Sequence, residues 1–387
     1  MTQRKVCIIT GSRAEWGLLS GIARALKART DVCLQIVVTN MHLDPRYGLS
    51  VNEIEADGFH IDARVPLPQG DDEASVARAM GSCLSGMADA FHKLCPDIAV
   101  ILGDRTEMLA VAAAALTMRI PIVHLHGGEI TEGAVDDSIR HAITKMASLH
   151  LTSTDEYRHR VIQMGEDPEL VLATGAIGVY NNMTEQIMPL HELEASLGHS
   201  LSPDTLLVTY HPVTLDPVAP EIRFGQLLEA LDRFPELPVL FTYPNNDARG
   251  AVIIDLIERY RSSRPDTVFS IPSLGRRRYL SALHYVSAVI GNSSSGIIEV
   301  PTAGIPTVDI GIRQQGRLAA DSVIHCGDSA DEIASAIARA LSPEFRLAAR
   351  NTVNPYFRPD TLDLIVNAIA DTPMERLRKK HFHDIAF

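Results

Sequence analysis

Short apolar segments rich in valine and isoleucine alternate with longer segments of helical period along the first half of the chain. The short segments predict strands at 5–9, 32–38, 97–102, 120–125 and 150–152. Apolar residues that recur every three to four positions predict helices at 15–28, 75–94, 106–118 and 136–147. Continuous apolar strands separated by helices are typical of parallel sheets that are covered on both faces.

This alternation breaks after Gly178, where a polar segment precedes a short predicted helix at 191–197. A second series of apolar segments then predicts strands at 205–210, 238–242, 267–271, 288–290 and 307–310. We therefore expect an α/β protein with two Rossmann-like, doubly wound domains that face a cleft. The pattern divides the chain into 1–182, 183–360 and a closing helix with a tail at 361–387. Ligands bind at the carboxyl ends of such strands, so functional residues should lie in strand-to-helix loops.

Composition narrows the function. The 387 residues include 48 acidic and 35 basic side chains, which gives a net charge of −13 and disfavours a nucleic-acid partner. The apolar runs are shorter than the ~18–20 residues that cross a bilayer, and the N-terminus lacks the pattern of a signal peptide. The five cysteines are scattered and indicate reduced core residues. We expect a cytoplasmic protein without a membrane partner.

Two loops that lead from a predicted strand into a helix could hold a diphosphate. In the loop at 10–15, Arg13 could bind phosphate oxygens, although Ser12 could simply cap the helix. The loop at 291–296 offers Ser293, Ser294 and the small Gly296 at a predicted helix N-terminus, which suits an anion better than a single cap requires.

Further polar residues of the second half also favour a nucleotide. Glu299, one turn into the next helix, could accept hydrogen bonds from ribose hydroxyls or merely complement the helix dipole. Arg313 lies with Gln314 in a glycine-bounded loop after another predicted strand. His211 ends the strand at 205–210 and could carry charge toward a leaving diphosphate, or it could be a core histidine.

Carboxylates and histidines concentrate in two neighbouring loops of the first half. Asp104, His126 and Glu129 follow predicted strands, and Asp136 begins a predicted helix. Like charges held together raise at least one pKa, which makes a carboxyl a usable acid or base near neutrality. Asp136 could instead cap its helix, and Asp104 could form a structural ion pair with Arg105. The histidines lack the spacing of a zinc site, so we expect no metal.

In this order, the motifs resemble the UDP-N-acetylglucosamine 2-epimerase family, specifically its hydrolysing branch, which serves sialic and legionaminic acid biosynthesis. The similarity runs nearly from end to end. The matching segments are 11–15, 103–105, 126–129, 136–141, 211–212, 291–296 and 313–314. The resemblance implies a glycosyltransferase-B-like fold, with catalytic groups mostly in the first domain and UDP held mainly by the second.

The resemblance also implies roles for individual residues. It places the catalytic carboxylates at Asp104 and Asp136, and a histidine that contacts the diphosphate at His211. The implied contacts to UDP are Arg13, Arg105, Ser293, Ser294, Glu299 and Arg313. Many family members have glutamate where this chain has His126, while other bacterial members of the branch have histidine. The second acid or base is therefore either His126 or Glu129.

The implied reaction has two steps, anti elimination of UDP and then hydration of the resulting glycal. It converts UDP-N-acetylglucosamine or UDP-N,N′-diacetylbacillosamine into UDP and a free N-acetylmannosamine-type sugar. Such chemistry needs no redox cofactor, and we expect none. A homodimer or homotetramer is expected. The alternatives are a glycosyltransferase of the same fold and a non-catalytic UDP-sugar-binding protein, which the many carboxylates disfavour.

Overall fold

The computed structural model describes residues 3–70, 72–131, 135–213, 218–244 and 250–385, and these residues form two compact units. The first unit comprises the described residues of 1–129, 136–180 and 358–387. The second unit comprises those of 130–135 and 181–357. The predicted division differs in two respects. Ile130, Thr131 and Val135 group with the second unit, and the closing helix and tail group with the first.

The first unit is built on a seven-stranded parallel sheet with the order β3-β2-β1-β4-β5-β6-β7. Its strands are β1 Arg4–Thr10, β2 Val32–Thr39, β3 Ala63–Val65, β4 Ile98–Leu102, β5 Ile122–Leu125, β6 Leu149–Thr152 and β7 Val171–Ala173. The five predicted strands are confirmed. β3 and β7 were not predicted, because three residues are too few to show a period.

Helices cover both faces of this sheet. They are α1 Arg13–Ala28, α2 Val51–Ala56, α3 Glu73–Leu94, α4 Thr106–Thr117, α5 Val135–Met146 and α6 Asp155–Gln163. Alternate residues of β1 serve opposite faces, since Val6 and Ile8 join one hydrophobic cluster while Cys7 and Ile9 join the other. α7, Ile177–Thr184, then leads into the second unit.

The second unit repeats this plan with a six-stranded parallel sheet of order β10-β9-β8-β11-β12-β13. Its strands are β8 Leu206–Thr209, β9 Val239–Thr242, β10 Val268–Ile271, β11 Ala288–Gly291, β12 Thr307–Ile310 and β13 Val323–Cys326. Its further helices are α8 Leu190–Leu197, α9 Pro220–Leu231, α10 Gly250–Ser263, α11 Gly275–Ala282, α12 Ser294–Ile298, α13 Ala330–Ala340 and α14 Pro343–Arg350. Both sheets have the strand order of a Rossmann fold, so the predicted class of an α/β protein with two Rossmann-like domains is confirmed.

The order of each sheet reverses beside its first strand, and ligands of such folds bind at that point. In the first unit the reversal lies between β1 and β4, and in the second between β8 and β11. The loops at 11–15 and 103–105 therefore lie at one switch point, and those at 211–213 and 292–296 lie at the other. None of the helices in the described part of the chain combines the length and the apolar composition needed to span a bilayer.

The chain returns to the first unit through α15, Thr361–Asp371, and α16, Met374–Arg378. Ile365 and Ile369 of α15 join the cluster that contains the buried face of α1. Beyond α16 the tail is fastened by Glu166, whose carboxylate lies 2.7 Å from Lys380 Nζ, 2.6 Å from Lys145 Nζ and 2.9 Å from His150 Nε2. Burial alone would raise the pKa of Glu166, but these partners lower it to about 2.

This contact predicts an acid-sensitive contribution to stability. The pKa of Glu166 lies below its ordinary value of 4.5, so its contribution is complete above pH 4.5 and disappears as the pH falls through about 2. Glu166→Gln should lower the free energy of unfolding by about 2 kcal/mol at pH 7, and this difference should shrink toward pH 2. Urea unfolding of both proteins at several pH values measures it. Glu156→Gln, which alters an exposed pair with Arg160, is the control, and equal effects of the two variants would contradict the assignment.

Candidate active site

His126 is the first residue after β5, and its backbone has a left-handed φ of 64°. This conformation is rare for a residue other than glycine, and it takes His126 out of the alternation of the strand. Its amide donates to the carbonyl oxygen of Leu151 in β6 at 3.0 Å. Nδ1 of the ring lies 2.8 Å from Oε1 of Glu129. Nε2 is buried and has no hydrogen-bond partner among the described residues.

Glu129 holds the ring of His126 in place. Its Oε1 also accepts a hydrogen bond from Ser153 Oγ at 2.9 Å, and both side chains are almost fully buried. A carboxylate that accepts from Nδ1–H fixes the imidazole tautomer, which leaves a lone pair on Nε2. The pair can therefore take up a proton at one defined atom and return it.

The two glycines between His126 and Glu129 are explained by packing within the first unit. A Cβ at Gly127 would lie 2.9 Å from Oγ1 of Thr144 in α5. Gly128 has a φ of 80°, and a Cβ there would lie 2.6 Å from the carbonyl oxygen of Tyr157 in α6. These glycines thus let the loop pack closely against helices α5 and α6. This packing fixes the loop that carries the side chains of His126 and Glu129.

Asp104 forms an ion pair with Arg140 of α5, whereas the structural alternative considered Arg105 as its partner. Arg140 is 1% exposed, and its Nη1 also donates to the carbonyl oxygen of Glu129 at 2.8 Å. Burial alone would lower the pKa of Arg140, but the charges of Asp104 and Glu129 outweigh it and raise that pKa. One permanently charged side chain therefore ties the loop after β4 to the loop after β5.

The buried His124 of β5 contacts the loop after β4. Its Nε2 lies 2.8 Å from the carbonyl oxygen of Gly103, and its Nδ1 lies 3.2 Å from Thr144 Oγ1. Burial lowers the pKa of His124 to about 3, so the ring is neutral at physiological pH. Because both nitrogens are engaged within the unit, His124 orients the residue before Asp104 and is a structural group.

The remaining acidic residue of the predicted cluster is Asp136. α5 begins at Val135, so Asp136 lies inside the first turn and is not the capping residue. Its neighbour Asp137 lies 3.4 Å from Arg140 Nη1 and 3.4 Å from His141 Nε2. Asp136 and Asp137 thus place two carboxylates in the first turn of α5, the helix that also carries Arg140.

Arg105 and Arg13 also form ion pairs within the first unit. Arg105 Nε lies 2.8 Å from Oε1 of the buried Glu107 and 3.8 Å from Glu15. Arg13 lies 2.5 Å from Glu53 of α2. Glu15 accepts hydrogen bonds from the amides of Gly11 and Ser12, and burial raises its pKa to about 7.

Ser12 caps α1 in a capping box with Glu15, as the structural alternative predicted. The contacts of Arg13 and Arg105 to UDP stay predictions.

In the second unit, His211 follows β8 and is 5% exposed. Its amide donates to Oδ1 of Asn292 at 2.7 Å, and its carbonyl oxygen accepts from Nδ2 of Asn292 at 2.8 Å. Arg313 and Gln314 donate to the carbonyl oxygen of the same asparagine at 3.2 Å and 2.8 Å. The predicted nucleotide loops after β8, β11 and β12 therefore meet within this unit.

The serines of the loop at 291–296 are all half-buried, and one of them caps a helix. Ser293 is the N-cap of α12, and its hydroxyl accepts from the amide of Ser295. The amide of Gly296 donates to the carbonyl oxygen of Ser293, and a Cβ at Gly296 would lie 2.8 Å from Thr307. Gly296 therefore has a packing role. Glu299 accepts from Ser295 Oγ at 2.5 Å.

Three residues of these sites were missed by the sequence reasoning. Ser153 follows a predicted strand at the same edge of the sheet as His126, so its position was a usable signal. Arg140 lies within a predicted charged helix, and Asn292 lies within a loop read as an anion site. Nothing in the pattern showed that these two side chains would be buried and bonded to the neighbouring loops.

Comparison with known proteins places these features in context. A family model described as UDP-N-acetylglucosamine 2-epimerase matches residues 24–370. The GDP/UDP-N,N′-diacetylbacillosamine 2-epimerase (hydrolyzing) of Campylobacter jejuni is 39% identical over 349 residues, which are 89% of this chain and 90% of that protein. The UDP-N,N′-diacetylbacillosamine 2-epimerase (hydrolyzing) of Legionella pneumophila is 36% identical over 340 residues, 88% of this chain and 89% of that protein.

The fold matches solved structures as well. The crystal structure of the Methanocaldococcus jannaschii UDP-GlcNAc 2-epimerase in complex with UDP-GlcNAc and UDP superimposes with a TM-score of 0.77 at 18% identity. The match covers 94% of this chain and 98% of that one. At this identity the likeness shows the fold, which agrees with the strand order of both sheets.

Proposed function

The chain belongs to the UDP-N-acetylglucosamine 2-epimerase family, and we propose that it is a hydrolysing 2-epimerase that acts on UDP-N,N′-diacetylbacillosamine or UDP-N-acetylglucosamine. The names of the Campylobacter and Legionella relatives favour the diacetylated sugar. The observation that carries the proposal is the pairing of His126 with Glu129, which leaves the buried Nε2 of His126 without a partner in the described part of the chain.

The proposed reaction has two proton transfers at C2 of the sugar. In the first step a base removes the C2 proton, its electron pair forms the C1–C2 double bond, and the C1–oxygen bond to UDP breaks. In the second step water adds its oxygen at C1, while an acid protonates C2 from the opposite face. The sum is one nucleotide sugar and one water converted into UDP and a free sugar of manno configuration.

We assign one proton-transfer role to His126 and the other to the carboxylates Asp104 and Asp136. Glu129 then orients His126, and Arg140 holds the loops of Asp104 and Glu129 at a fixed separation. This choice between His126 and Glu129 follows from their contacts. Glu129 Oε1 already accepts from two donors, whereas His126 Nε2 is the atom left for a substrate proton.

The residues proposed to bind UDP lie mainly in the second unit. His211, Arg313, Ser293 and Ser294 offer a ring, a guanidinium and hydroxyls to a diphosphate whose negative charge grows as it leaves. Glu299 is assigned to the ribose, and Arg13 and Arg105 of the first unit are further candidates for phosphate contacts. A homo-oligomeric state and a cytoplasmic location stay predictions from the sequence.

The experiment that tests this function follows the reaction in deuterated water. Incubation with each UDP-sugar should release UDP and a manno-configured sugar that carries deuterium at C2, as measured by NMR. GDP-N,N′-diacetylbacillosamine forms a third arm, because the Campylobacter relative is named for both nucleotides. Release of UDP with the C2 proton and gluco configuration retained would mean plain hydrolysis. Turnover that requires an acceptor would instead indicate a glycosyltransferase.

A further inference from the structure

We propose that Asn292 is the positioning residue of the nucleotide site, because it joins the three loops to which nucleotide binding is assigned. The inference rests on the proposed function, which assigns UDP binding to those loops. Asn292 is fully buried, and its side-chain amide is directed entirely to the main chain of His211. Oδ1 accepts from the His211 amide at 2.7 Å, and Nδ2 donates to the His211 carbonyl oxygen at 2.8 Å.

These bonds cross the switch point of the second sheet. β8 and β11 are neighbouring parallel strands, with Thr209 in register with Gly291. The strand ends approach so closely that a Cβ at Gly291 would lie 1.8 Å from the carbonyl oxygen of Thr209, and Gly291 has a φ of 142°. Only glycine fits this contact. The glycine therefore brings Asn292 within hydrogen-bonding distance of both main-chain groups of His211.

The main chain of Asn292 reaches the third loop. Its carbonyl oxygen accepts from Gln314 Nε2 at 2.8 Å and from Arg313 Nη1 at 3.2 Å. Gln314 is fully buried, so this contact is sheltered from water. A single residue after β11 thus bonds to residues that follow β8 and β12.

The arrangement explains why a polar residue occupies this buried position. An asparagine in a core is tolerated only when its donors and acceptors are satisfied, and an aliphatic residue would pack there without that requirement. Because His211 and Arg313 are held in a fixed geometry before the ligand binds, binding loses less conformational entropy at these two residues. Asn292 therefore acts on UDP through these two residues and need not touch the nucleotide itself.

The test compares Asn292→Ala with Asn354→Ala in the full-length protein. Asn354 is another buried asparagine of the second unit, whose Nδ2 bonds to Ile298 O and Thr302 Oγ1 and whose Oδ1 accepts from the Tyr356 amide. Both variants should lose similar thermal stability. Calorimetry with UDP should show a dissociation constant at least tenfold higher for Asn292→Ala and unchanged for Asn354→Ala.

Asn292→Asp provides a second measurement, since it keeps the acceptor for the His211 amide but loses the donor to the His211 carbonyl. Its affinity for UDP should lie between those of the wild-type protein and Asn292→Ala. It also replaces the alanine variant in the test if that variant does not fold. Wild-type affinity in a folded Asn292 variant would overturn the inference, as would an equal loss of affinity in Asn354→Ala. Failure of the wild-type protein to bind UDP would instead refute the proposed function, so the two failures are distinguishable.

Discussion

Replacing His126 by glutamine should lower the turnover of the nucleotide sugar by about 10²–10⁴-fold and leave the affinity for UDP unchanged. Glutamine keeps a polar side chain of similar length, and its amide can still bond to Glu129. It has no nitrogen that can accept and return a proton, which is the capacity assigned to Nε2 of His126. The measurements are steady-state rates with the preferred nucleotide sugar and calorimetry with UDP.

The chain contains a second histidine with nearly the same local chemistry, which makes a matched control. His150 pairs with Glu166 at 2.9 Å through Nε2, and its Nδ1 is buried without a hydrogen-bond partner among the described residues. The difference is position, because His150 lies within β6 and its glutamate also holds Lys145 and Lys380. His150→Gln should therefore reduce stability while turnover stays within about threefold of wild type.

Comparing His126→Gln with Glu129→Gln decides which of these two residues is the proton-transfer group, a choice that the sequence left open. If Glu129 were the proton-transfer group and His126 only its partner, Glu129→Gln would reduce turnover more than His126→Gln. If His126 carries the proton, the order reverses, because Glu129→Gln leaves the imidazole in place and alters only its orientation and charge. A His126→Gln variant with more than about a tenth of wild-type turnover would contradict the assignment.

The fold was largely predictable because apolar strands and amphipathic helices leave strong periodic signals. β1 contains the apolar run 6–9 and β8 contains the apolar run 206–208, and the alternation of such runs with helices indicated the doubly wound class. β3 and β7 were missed, since three residues cannot establish a period. β13 was also missed, and only one of its four residues is buried. A strand at the edge of a sheet has one neighbour, so tertiary context decides its formation more than its own pattern does.

The residue types of the first site were predictable, but their partners were not. Strand ends of one parallel sheet share an edge, so Asp104, His126 and Glu129 could be placed together from the sequence. The partner of Asp104 depends on how α5 packs, and the structure has Arg140 where the adjacent Arg105 was considered. Arg105 lies near two buried glutamates instead. Sequence distance is therefore a poor guide to the choice of an ion-pair partner when several arginines lie within reach.

Replacing Arg140 by methionine should lower the free energy of unfolding by about 3 kcal/mol and abolish most of the turnover. Methionine retains most of the apolar stem, so the change removes mainly the guanidinium. Asp104 then loses its ion pair with the buried Arg140, and the carbonyl oxygen of Glu129 loses a donor. A carboxylate left without its partner is destabilising, because desolvation of its charge is no longer compensated.

The double variant Asp104→Asn with Arg140→Met separates this effect from a loss of packing. Because asparagine carries no charge that needs a counter-ion, the double variant should be more stable than Arg140→Met alone, with a coupling energy of about 1–3 kcal/mol in urea unfolding. Arg160→Met is the matched control, since Arg160 also donates to a carbonyl oxygen of this loop, that of Gly128, but is only half-buried and pairs with the exposed Glu156. It should reduce stability by less than about 1 kcal/mol. If the double variant is as unstable as Arg140→Met, the charge of Asp104 is not what Arg140 neutralises, and the contribution of Arg140 comes from its contacts with the carbonyl oxygen of Glu129 and with Asp137.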